Sequence, residues 1–551
     1  MQSPSKAIIG TLLILIMSHV ALAQSGTVQW DDDPAPPNDI VITDDLDPLN
    51  APEFSGDWEI PIESEVVPDQ PEIEVETPPA AGPFSESLQP IEPILDGSVG
   101  SPEQITNEPP PAEAPVIDLA EWETRLGAVE GKLEEQLQQL ELDRAEIENK
   151  AAPKKSFPTG KWTGRIHLDY WAFPNESDGI GFFENPNTGF DPENRLVFRR
   201  VRLGLQGDIN DSMLYKIDWE FNNPAVGEYK DVYIGWKNLP HNQQLLIGHQ
   251  KRPLGLDHLN SSNYNTFRER PMVIETFNSI NRRIGAAVYG HTDDEVYHWR
   301  YGIYTLEDTT RDGRHIGDTF QPSINGRISS SPWYDDATDG RGYFHWALAG
   351  MYAWPDGDGG NETSENEGRF RTRAENRSTT NWFDTGRIAD IDNYSIVAVE
   401  TMLNFGRFHL VGEFQTAHAE RLTGNNLFFY GGYVSISWFL TGEHIPLNRK
   451  RGVIGRIMPF NDFTPASSRG SRATGMGAWQ IAARYSFLDI SDDDITGGVG
   501  DTVTAALNWY WSSRSRMQFD YTYGDIADRT EVGGFTGGTY GSLGVRFSMD
   551  F

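Results

Sequence analysis

The sequence ends with GSLGVRFSMDF (residues 541–551), in which large apolar residues alternate with small or polar ones. The apolar residues occupy the odd positions, and they are Leu543, Val545, Phe547, Met549 and Phe551. Successive side chains of a β-strand point to opposite faces. The stretch therefore predicts a strand with one apolar face and one polar face.

The same alternation recurs upstream, in segments of about ten residues that glycine-rich or acidic turns separate. It is found at residues 162–171, 197–208, 212–222, 503–511 and 517–523. One face of each segment is apolar and rich in aromatic residues, and the other carries charged or polar residues. A soluble β-protein can contain such strands, but the pattern favours a membrane barrel with its apolar face toward lipid. A closed barrel also leaves no unpaired backbone edge in lipid.

Residues 156–551 supply 396 residues for the barrel. One strand with half of each adjoining connection takes about 25 residues when the outer loops are long. The prediction is therefore an all-β transmembrane barrel of about 16 antiparallel strands, a width that encloses an aqueous channel.

Residues 1–23 are expected to form a secretory signal peptide. Lys6 precedes an apolar run, and Ala21 and Ala23 supply the small residues of a cleavage site before Gln24. The alternative is an N-terminal membrane anchor, because the run is about long enough to span a bilayer. No other segment has about 18 consecutive apolar residues, so no further helical span is expected.

Residues 24–117 hold 18 prolines and 22 acidic residues but no Lys or Arg. Such a composition cannot bury enough apolar surface to offset the entropy of ordering. The segment is predicted to be a disordered, extended arm in the periplasm. It is either a spacer, an arm that binds a basic periplasmic or cell-wall partner, or a plain tail.

The composition changes again at residues 118–150, and the pattern there predicts a short coiled-coil helix. One set of apolar residues recurs every seven positions, namely Leu119, Leu126, Leu133, Leu140 and Ile147. Trp122 and Val129 fill intermediate positions, as in an a/d heptad pattern. The alternative is a lone amphipathic helix lying on the barrel.

Composition excludes several classes of function. Residues 1–155 hold 32 Asp and Glu against 7 Lys and Arg, and the remainder holds 49 against 38. Nucleic-acid binding needs a basic footprint and is not expected. The chain has no cysteine, and its histidines show no metal spacing, so neither a metal nor another cofactor is expected. No nucleophile, base and orienting residue form a recognisable set, so an enzyme is not expected.

The predicted lumen face carries several arginines, a residue type suited to binding anions. Its planar fork binds oxyanions through two hydrogen bonds, and rings of Arg or Lys select anions in pores. Arg165, Arg200 and Arg202 have lumen parity, whereas Arg199 has the opposite parity at a strand entrance. A further alternating set is Arg369, Arg371 and Arg373. The alternative is that these arginines form ordinary ion-pair networks, with Asp169 or Asp231 as a carboxylate partner.

Several stretches resemble the phosphate-selective porin O and P family. They include TGRIHLDYWAF (163–173), FRRVRLGLQGDINDSMLYKIDWEF (198–221), LLIGHQKRPLGLDHLNSSNYNTFRERP (245–271), RFRTRAENR (369–377) and FLTGEHIPLNRKRGVIGRIMP (439–459). The resemblance implies a trimeric, 16-stranded porin that passes anions and holds phosphate on an arginine ladder. It also implies an inward-folded constriction loop with Lys251, Arg252, His258, Ser261 and Ser262. His258 stands where the resemblance suggests a lysine, which puts high phosphate affinity in doubt.

The sequence as a whole predicts an outer-membrane porin for passive diffusion of small anions, phosphate or polyphosphate, through an arginine-lined channel. It is expected to sit in outer-membrane lipid as a homotrimer, which the coiled coil would hold together. The last strand and its terminal Phe551 are similar to the sorting signal of outer-membrane barrels. The alternative function is a general or structural barrel that tethers the envelope through its coiled coil and acidic arm.

Overall fold

A computed structural model describes residues 119–151, 156–223, 227–278, 281–308, 321–355, 368–463 and 475–551. The predicted signal peptide and acidic arm lie outside the described residues. Those two predictions therefore stay predictions.

Sixteen antiparallel strands form a closed barrel, as the sequence predicts, in the order β1–β9, β12–β14 and β17–β20. Two short hairpins, β10–β11 and β15–β16, lie in connections between barrel strands. The strands are β1 (Lys161–Glu176), β2 (Arg195–Asp208), β3 (Met213–Glu220), β4 (Glu228–Leu239), β5 (Gln243–Lys251), β6 (Arg282–His291), β7 (Tyr297–Thr305), β8 (Pro322–Tyr334), β9 (Gly342–Ala353), β10 (Arg371–Thr372), β11 (Phe383–Asp384), β12 (Ile391–Phe405), β13 (Phe408–Arg421), β14 (Leu427–Phe439), β15 (Leu447–Asn448), β16 (Val453–Ile454), β17 (Ala478–Asp492), β18 (Ile495–Ser512), β19 (Ser515–Arg529) and β20 (Gly538–Asp550).

The described helices are α1 (Leu119–Ala151), α2 (Asp178–Glu184), α3 (Leu256–Leu259) and α4 (Met272–Phe277), and a 3₁₀ turn covers Asp336–Thr338. None of these helices has both the length and the apolarity that a transmembrane helix requires. Helix α1 coincides with the predicted coiled-coil segment, but whether it pairs with other copies stays a prediction. Its apolar residues Leu126, Val129, Leu133 and Leu140 are exposed in the single chain.

The last strand closes the barrel on the first. In this pairing, Phe547 of β20 lies opposite Leu168 of β1. The backbones of Phe551 and Gly164 exchange two hydrogen bonds of 3.1 Å, and the ring of Phe551 occupies the space that a Cβ at Gly164 would need. The alternation at the end of the sequence thus becomes the closing seam of the barrel.

The barrel is apolar outside and polar inside. On β1, Ile166 and Tyr170 face outward and are exposed, while His167 and Asp169 face the lumen and are buried. On β20, Leu543, Phe547 and Met549 are exposed, while Ser542 and Arg546 are buried. This arrangement confirms the predicted parity and is the one that a lipid-facing barrel requires.

Three segments fold into the lumen. The constriction loop (residues 252–278) follows β5, and the arginine segment (residues 368–390) follows β9. Because neighbouring strands are antiparallel, both enter from the end opposite the start of β1. The terminal-side hairpin (residues 445–457), which contains β15 and β16, follows β14 and enters from the end where β1 begins and β20 ends.

The inward segments fill the lumen unevenly. Along β8–β20 they bury two apolar clusters, which include Met272, Ile274, Phe370, Trp382 and Phe429, and Leu256, Met402, Phe439, Ile445 and Tyr510. We call this side the packed half. Along β1–β7 an open space remains, and we call it the chamber.

Candidate functional site

The chamber has a volume of about 890 Å³ and lies between the constriction loop and the terminal-side hairpin. Its lining contains eleven Lys or Arg residues but only two acidic residues, Asp208 and Asp231. Six of the residues predicted from sequence line it, namely Arg165, Arg200, Arg202, Lys251, Ser261 and Ser262. The net positive charge of the lining makes the chamber an electrostatic site for anions.

Arg165 of β1 and Arg200 of β2 converge on one hydroxyl of the constriction loop. Arg165 Nη1 donates to Ser262 Oγ at 2.9 Å, and Arg200 Nε donates to the same oxygen at 3.1 Å. Nη1 of Arg200 is buried without a hydrogen-bond partner. Neither guanidinium forms a salt bridge with any carboxylate among the described residues. Two cations held together without a carboxylate in direct contact form a binding site for an oxyanion.

Asp169 and Asp231 form their salt bridges with other cations. Asp231 pairs with Arg282 at 2.6 Å and with Lys216 at 2.9 Å, and Asp169 pairs with Arg546 at 2.6 Å. Neither of these two carboxylates is in direct contact with Arg165 or Arg200. In the described parts of the chain, no three His, Asp or Glu side chains lie close enough together to hold a metal ion.

A β-bulge turns both Arg199 and Arg200 toward the lumen. The register of β1 and β2 slips here, because His167 lies opposite Arg200 and the next residue, Leu168, lies opposite Phe198. The extra residue, Arg199, binds Glu269 of the constriction loop at 2.8 and 2.9 Å. A bulge redirects side chains in this way. Arg199 thus reaches the lumen despite its opposite parity in the sequence.

The arginine segment adds positive charge near Arg199, outside the chamber. Arg369 forms an ion pair with Asp384. The charge on Arg199, followed by burial, lowers the pKa of Arg377 to about 9. Burial, followed by the same charge, lowers the pKa of Arg373, which Arg371 also influences. The positive charge of Arg199 thus acts on two arginines of the segment.

Carboxylates of the barrel wall hold the constriction loop in place. Glu413 of β13 accepts hydrogen bonds from the backbone N–H groups of Leu256 at 2.7 Å and Asp257 at 2.8 Å. Gly255 precedes them with φ of 81°, and a Cβ there would meet the Glu413 carboxylate at 2.8 Å. The side chains that the loop brings to the chamber are therefore held from the opposite wall.

On the same loop, Arg268 lies over the ring of Trp171, 3.7 Å from its centroid, and forms an ion pair with Asp520. Burial alone would raise the pKa of Glu269, but Arg199 and Arg546 hold it well below its usual range. The loop is thus fixed to β1, β2, β19 and β20 by charged groups.

The remaining predicted loop residues do not offer a free cation to the open space. Lys251 lines the chamber, but its Nζ donates to the backbone carbonyls of His258, Leu259 and Asn260 at 2.6, 3.2 and 2.8 Å. It therefore caps the end of α3. His258 and Arg252 are 1% and 3% exposed and do not line the chamber, and Arg252 Nη1 points to the sulfur of Met351 at 3.4 Å.

Several cationic residues of the chamber were not predicted. They are Lys161, Lys216, Arg270, Arg282, Arg300, Lys450 and Arg451. Arg282 opens β6 next to Arg283, and this arginine pair repeats the one at positions 199 and 200, so it was a usable signal. The earlier pair lies within β2, which begins at Arg195, and not at a strand entrance as predicted. Arg451 lies on the terminal-side hairpin, whose backbone accepts hydrogen bonds from Arg300 at 2.7 Å and Arg327 at 2.9 Å. No local pattern places that hairpin inside a barrel.

Comparison with known proteins gives one family match and several structural similarities. The family described as "Phosphate-selective porin O and P" matches residues 161–534. An uncharacterized protein of Caulobacter vibrioides (strain ATCC 19089 / CIP 103742 / CB 15) is 24% identical over 475 residues, which cover 84% of this chain and 87% of the relative.

Among solved structures, OmpT of Vibrio cholerae in its trimer form has a TM-score of 0.43 and 11% identity, over 71% of this chain and 99% of that one. The anion-selective porin from Comamonas acidovorans has a TM-score of 0.42 and 11% identity, over 71% and 99%. Both TM-scores lie below 0.5, so the family match is the stronger finding.

Proposed function

Since the chain belongs to the phosphate-selective porin O and P family and forms the barrel of an outer-membrane porin, we propose that it passes small anions, with phosphate or polyphosphate as the solute. The anions cross by facilitated diffusion along an arginine-lined path, without energy input. The path begins at the arginine segment, crosses the Arg199–Arg200 bulge and ends in the chamber.

The observation that carries this proposal is the pair Arg165 and Arg200 on Ser262. Their guanidiniums donate to one neutral hydroxyl, at 2.9 and 3.1 Å, and no carboxylate among the described residues pairs with either of them. An anion that loses its hydration in a pore needs fixed positive charge and several donors. A phosphate oxygen that binds both guanidiniums would meet both needs.

The bulge supports a continuous path. The charge of Arg199 acts on Arg373 and Arg377 of the arginine segment, while its neighbour Arg200 lines the chamber. Arg199 is paired with Glu269, so Arg200 is the cation at the bulge that would receive an anion from the arginine segment. Closely spaced sites of moderate strength permit entry as well as release.

We further propose a homotrimer that α1 holds together, with the acidic arm in the periplasm. The exposed apolar residues of α1 repeat at heptad spacing, and burying them against other copies would stabilise the assembly. The apolar stripe equally suits an envelope tether, which keeps the structural alternative open to test.

The experiment is single-channel recording of the refolded full chain in a planar lipid bilayer. Reversal potentials in a KCl gradient report selectivity for chloride over potassium, and titrated phosphate reports a binding site through block of the chloride current. Anion selectivity together with block by phosphate is the expected result.

Cation selectivity, or a lack of selectivity without block, would contradict the proposal. The barrel would then act as a general porin or a structural anchor, and the family match would report fold and ancestry alone. Analytical ultracentrifugation of the detergent-solubilised chain, with and without residues 24–151, tests the trimer separately.

A further inference from the structure

The chamber is much larger than a phosphate ion requires. Its volume of about 890 Å³ falls in the range of about 300–1,000 Å³ that pockets for organic ligands occupy. A phosphate ion is a single small tetrahedron, and the hydroxyl of Ser262 and its two arginines are enough to hold it. The chamber therefore has room for a ligand with an uncharged organic part as well as an anionic group.

Three carboxamides line the chamber without internal partners. They belong to Gln206 of β2, Gln244 of β5 and Asn448 of the terminal-side hairpin. Within the described residues, none of these three side chains donates or accepts a hydrogen bond. Other amides of the lining are engaged, as Gln250 is with the backbone of Leu246. The three carboxamides are therefore available to a solute.

The chemistry of a carboxamide separates two kinds of ligand. Each carboxamide offers an NH₂ donor and a carbonyl acceptor. An ionised oxyanion can use only the donor and would leave the carbonyl oxygen facing negative charge. A sugar hydroxyl both donates and accepts, so it satisfies both halves. The carboxamides therefore favour hydroxyl groups over the oxygens of a second phosphate.

An aromatic ring lies beside one of these carboxamides. Gln244 stands directly opposite Tyr289 in the β5–β6 pairing, and both residues line the chamber. Arg300 lies 5.2 Å from the centroid of the Tyr289 ring. A Tyr side chain combines an apolar face with polar surroundings, which suits the C–H face of a sugar ring bordered by hydroxyl groups.

The arginines and the carboxamides lie at different levels of the barrel. Arg165 lies opposite Arg202 and Lys161 lies opposite Gln206, so Gln206 lies four residues along the strands from the level of Arg165. At about 3.3 Å per residue this is ~13 Å along the strand. A phosphate ion held at Arg165 stays far from Gln206, whereas the sugar of a phosphorylated sugar extends toward it and the Arg and Gln side chains cover the remaining distance.

We infer that the chamber binds a phosphorylated sugar, with its phosphoryl group on Arg165, Arg200 and Ser262 and its hydroxyl groups toward Gln206, Gln244 and Asn448. This inference rests on the proposed anion selectivity and names the class of solute. The guanidiniums recognise the charge, and the carboxamides distinguish a phosphorylated sugar from inorganic phosphate or polyphosphate.

The test uses the full chain in a planar bilayer, with glucose 6-phosphate, inorganic phosphate, tripolyphosphate and glucose as four probes of the chloride current. Glucose 6-phosphate should block at a concentration at least about threefold below that of inorganic phosphate, since each added hydrogen bond contributes a factor of about 3–10. Glucose, which lacks the charge, should not block.

The variant Gln244→Ala should raise the half-blocking concentration of glucose 6-phosphate about 3–10-fold and leave that of inorganic phosphate unchanged. Gln243→Ala is the matched control, because Gln243 is the adjacent glutamine and is not part of the chamber lining. It should change neither value.

Equal block by glucose 6-phosphate and phosphate would overturn the inference, as would strongest block by tripolyphosphate with no effect of Gln244→Ala. In both cases the channel would remain anion-selective and the proposed function would stand. A reversal potential that shows no preference for chloride would instead overturn the proposed function, and the inference with it.

Discussion

Lumen arginines of the packed half and of the chamber differ in their partners. In the packed half, Arg327 is buried in an ion pair with Glu400, which also lies 3.1 Å from His345 Nε2. In the chamber, Arg165 and Arg200 donate to the hydroxyl of Ser262, and no carboxylate among the described residues forms a salt bridge with either of them. Both arrangements place guanidiniums in the lumen of one barrel, but Arg327 has a counter-charge in direct contact and the pair on Ser262 does not.

This difference separates structural from functional arginines. The charge of a buried arginine with a carboxylate partner is already neutralised, and the pair contributes to the stability and specificity of the fold. An arginine without one holds a position that is unfavourable until an anion arrives. Neither residue type nor strand parity distinguishes the two cases. The distinguishing feature is whether the neighbouring strand or loop supplies a carboxylate.

The largest effect is expected from Arg327→Ala. This change leaves the Glu400 carboxylate buried and without its main partner, and breaking such a pair lowers the free energy of unfolding by about 3–5 kcal/mol. Urea unfolding of the barrel in detergent micelles measures it. The double variant Arg327→Met with Glu400→Leu is the control, because removing both charges should restore most of the loss.

If Arg327→Ala were as stable as the wild type, the packed half would not depend on charge balance. The comparison between the two halves would then fail. A change in anion selectivity without a change in stability would have the same consequence, since it would place Arg327 among the functional arginines.

The second effect concerns Arg200→Ala. Because Arg200 has no carboxylate to leave behind, its loss should change the free energy of unfolding by less than about 1 kcal/mol. The half-blocking concentration of phosphate should rise about tenfold or more, as expected for a charge-assisted hydrogen bond. Paired bilayer recordings and urea titrations measure the two quantities.

Arg421→Ala is the matched control, since Arg421 pairs with Asp493 and Asp494 at a loop tip. It should leave the block by phosphate unchanged. If Arg200→Ala unfolded the barrel while leaving the block intact, Arg200 would be a structural residue like Arg327.

A third effect should follow from Glu413→Gln, because Glu413 holds the constriction loop that separates the two halves. The Gln side chain keeps one acceptor oxygen for the two N–H groups of Leu256 and Asp257, and the anchor weakens by about 1–3 kcal/mol. The open-channel current should become noisier and larger on average. Glu420→Gln, on the same strand at the loop end, should leave the current unchanged.

Much of the fold could be predicted from the sequence, because the strand alternation reports which face meets lipid. The closing strand and the lumen parity of Arg165, Arg200 and Arg202 follow from that periodicity, and the count of about sixteen strands follows from the length of residues 156–551. The direction of Arg199 does not follow, because a bulge depends on the register between two strands. Local sequence patterns also cannot identify the partners of Asp169 and Asp231, because Arg546 and Arg282 are distant from them in the chain.

The smallest effect concerns His258, which the sequence places in the constriction loop as a residue that is charged part of the time. In the fold, burial, followed by the charges of Lys251 and Arg270, lowers the pKa of His258 well below its usual value. The imidazole is therefore neutral at physiological pH. Channel selectivity should not change between pH 6 and pH 8 through this residue, and a titration of selectivity near pH 6.5 that His258→Leu abolishes would contradict this.

The same shift makes His258 a contributor to acid sensitivity. In the unfolded chain a histidine takes up a proton near pH 6.5, whereas the folded chain keeps His258 neutral to lower pH. Below that pH the unfolded state binds more protons, so the stability of the fold falls as the pH falls. His258→Leu removes this proton uptake, and the stability lost between pH 8 and pH 5 should be smaller than in the wild type.

His418→Leu, at a partly exposed position on β13, serves as the control for replacing a histidine by leucine. Urea unfolding at the two pH values measures the difference. If His258→Leu and the wild type lost equal stability on acidification, His258 would be protonated in the fold. The constriction loop would then present a further cation without a carboxylate, like the arginines of the chamber rather than those of the packed half.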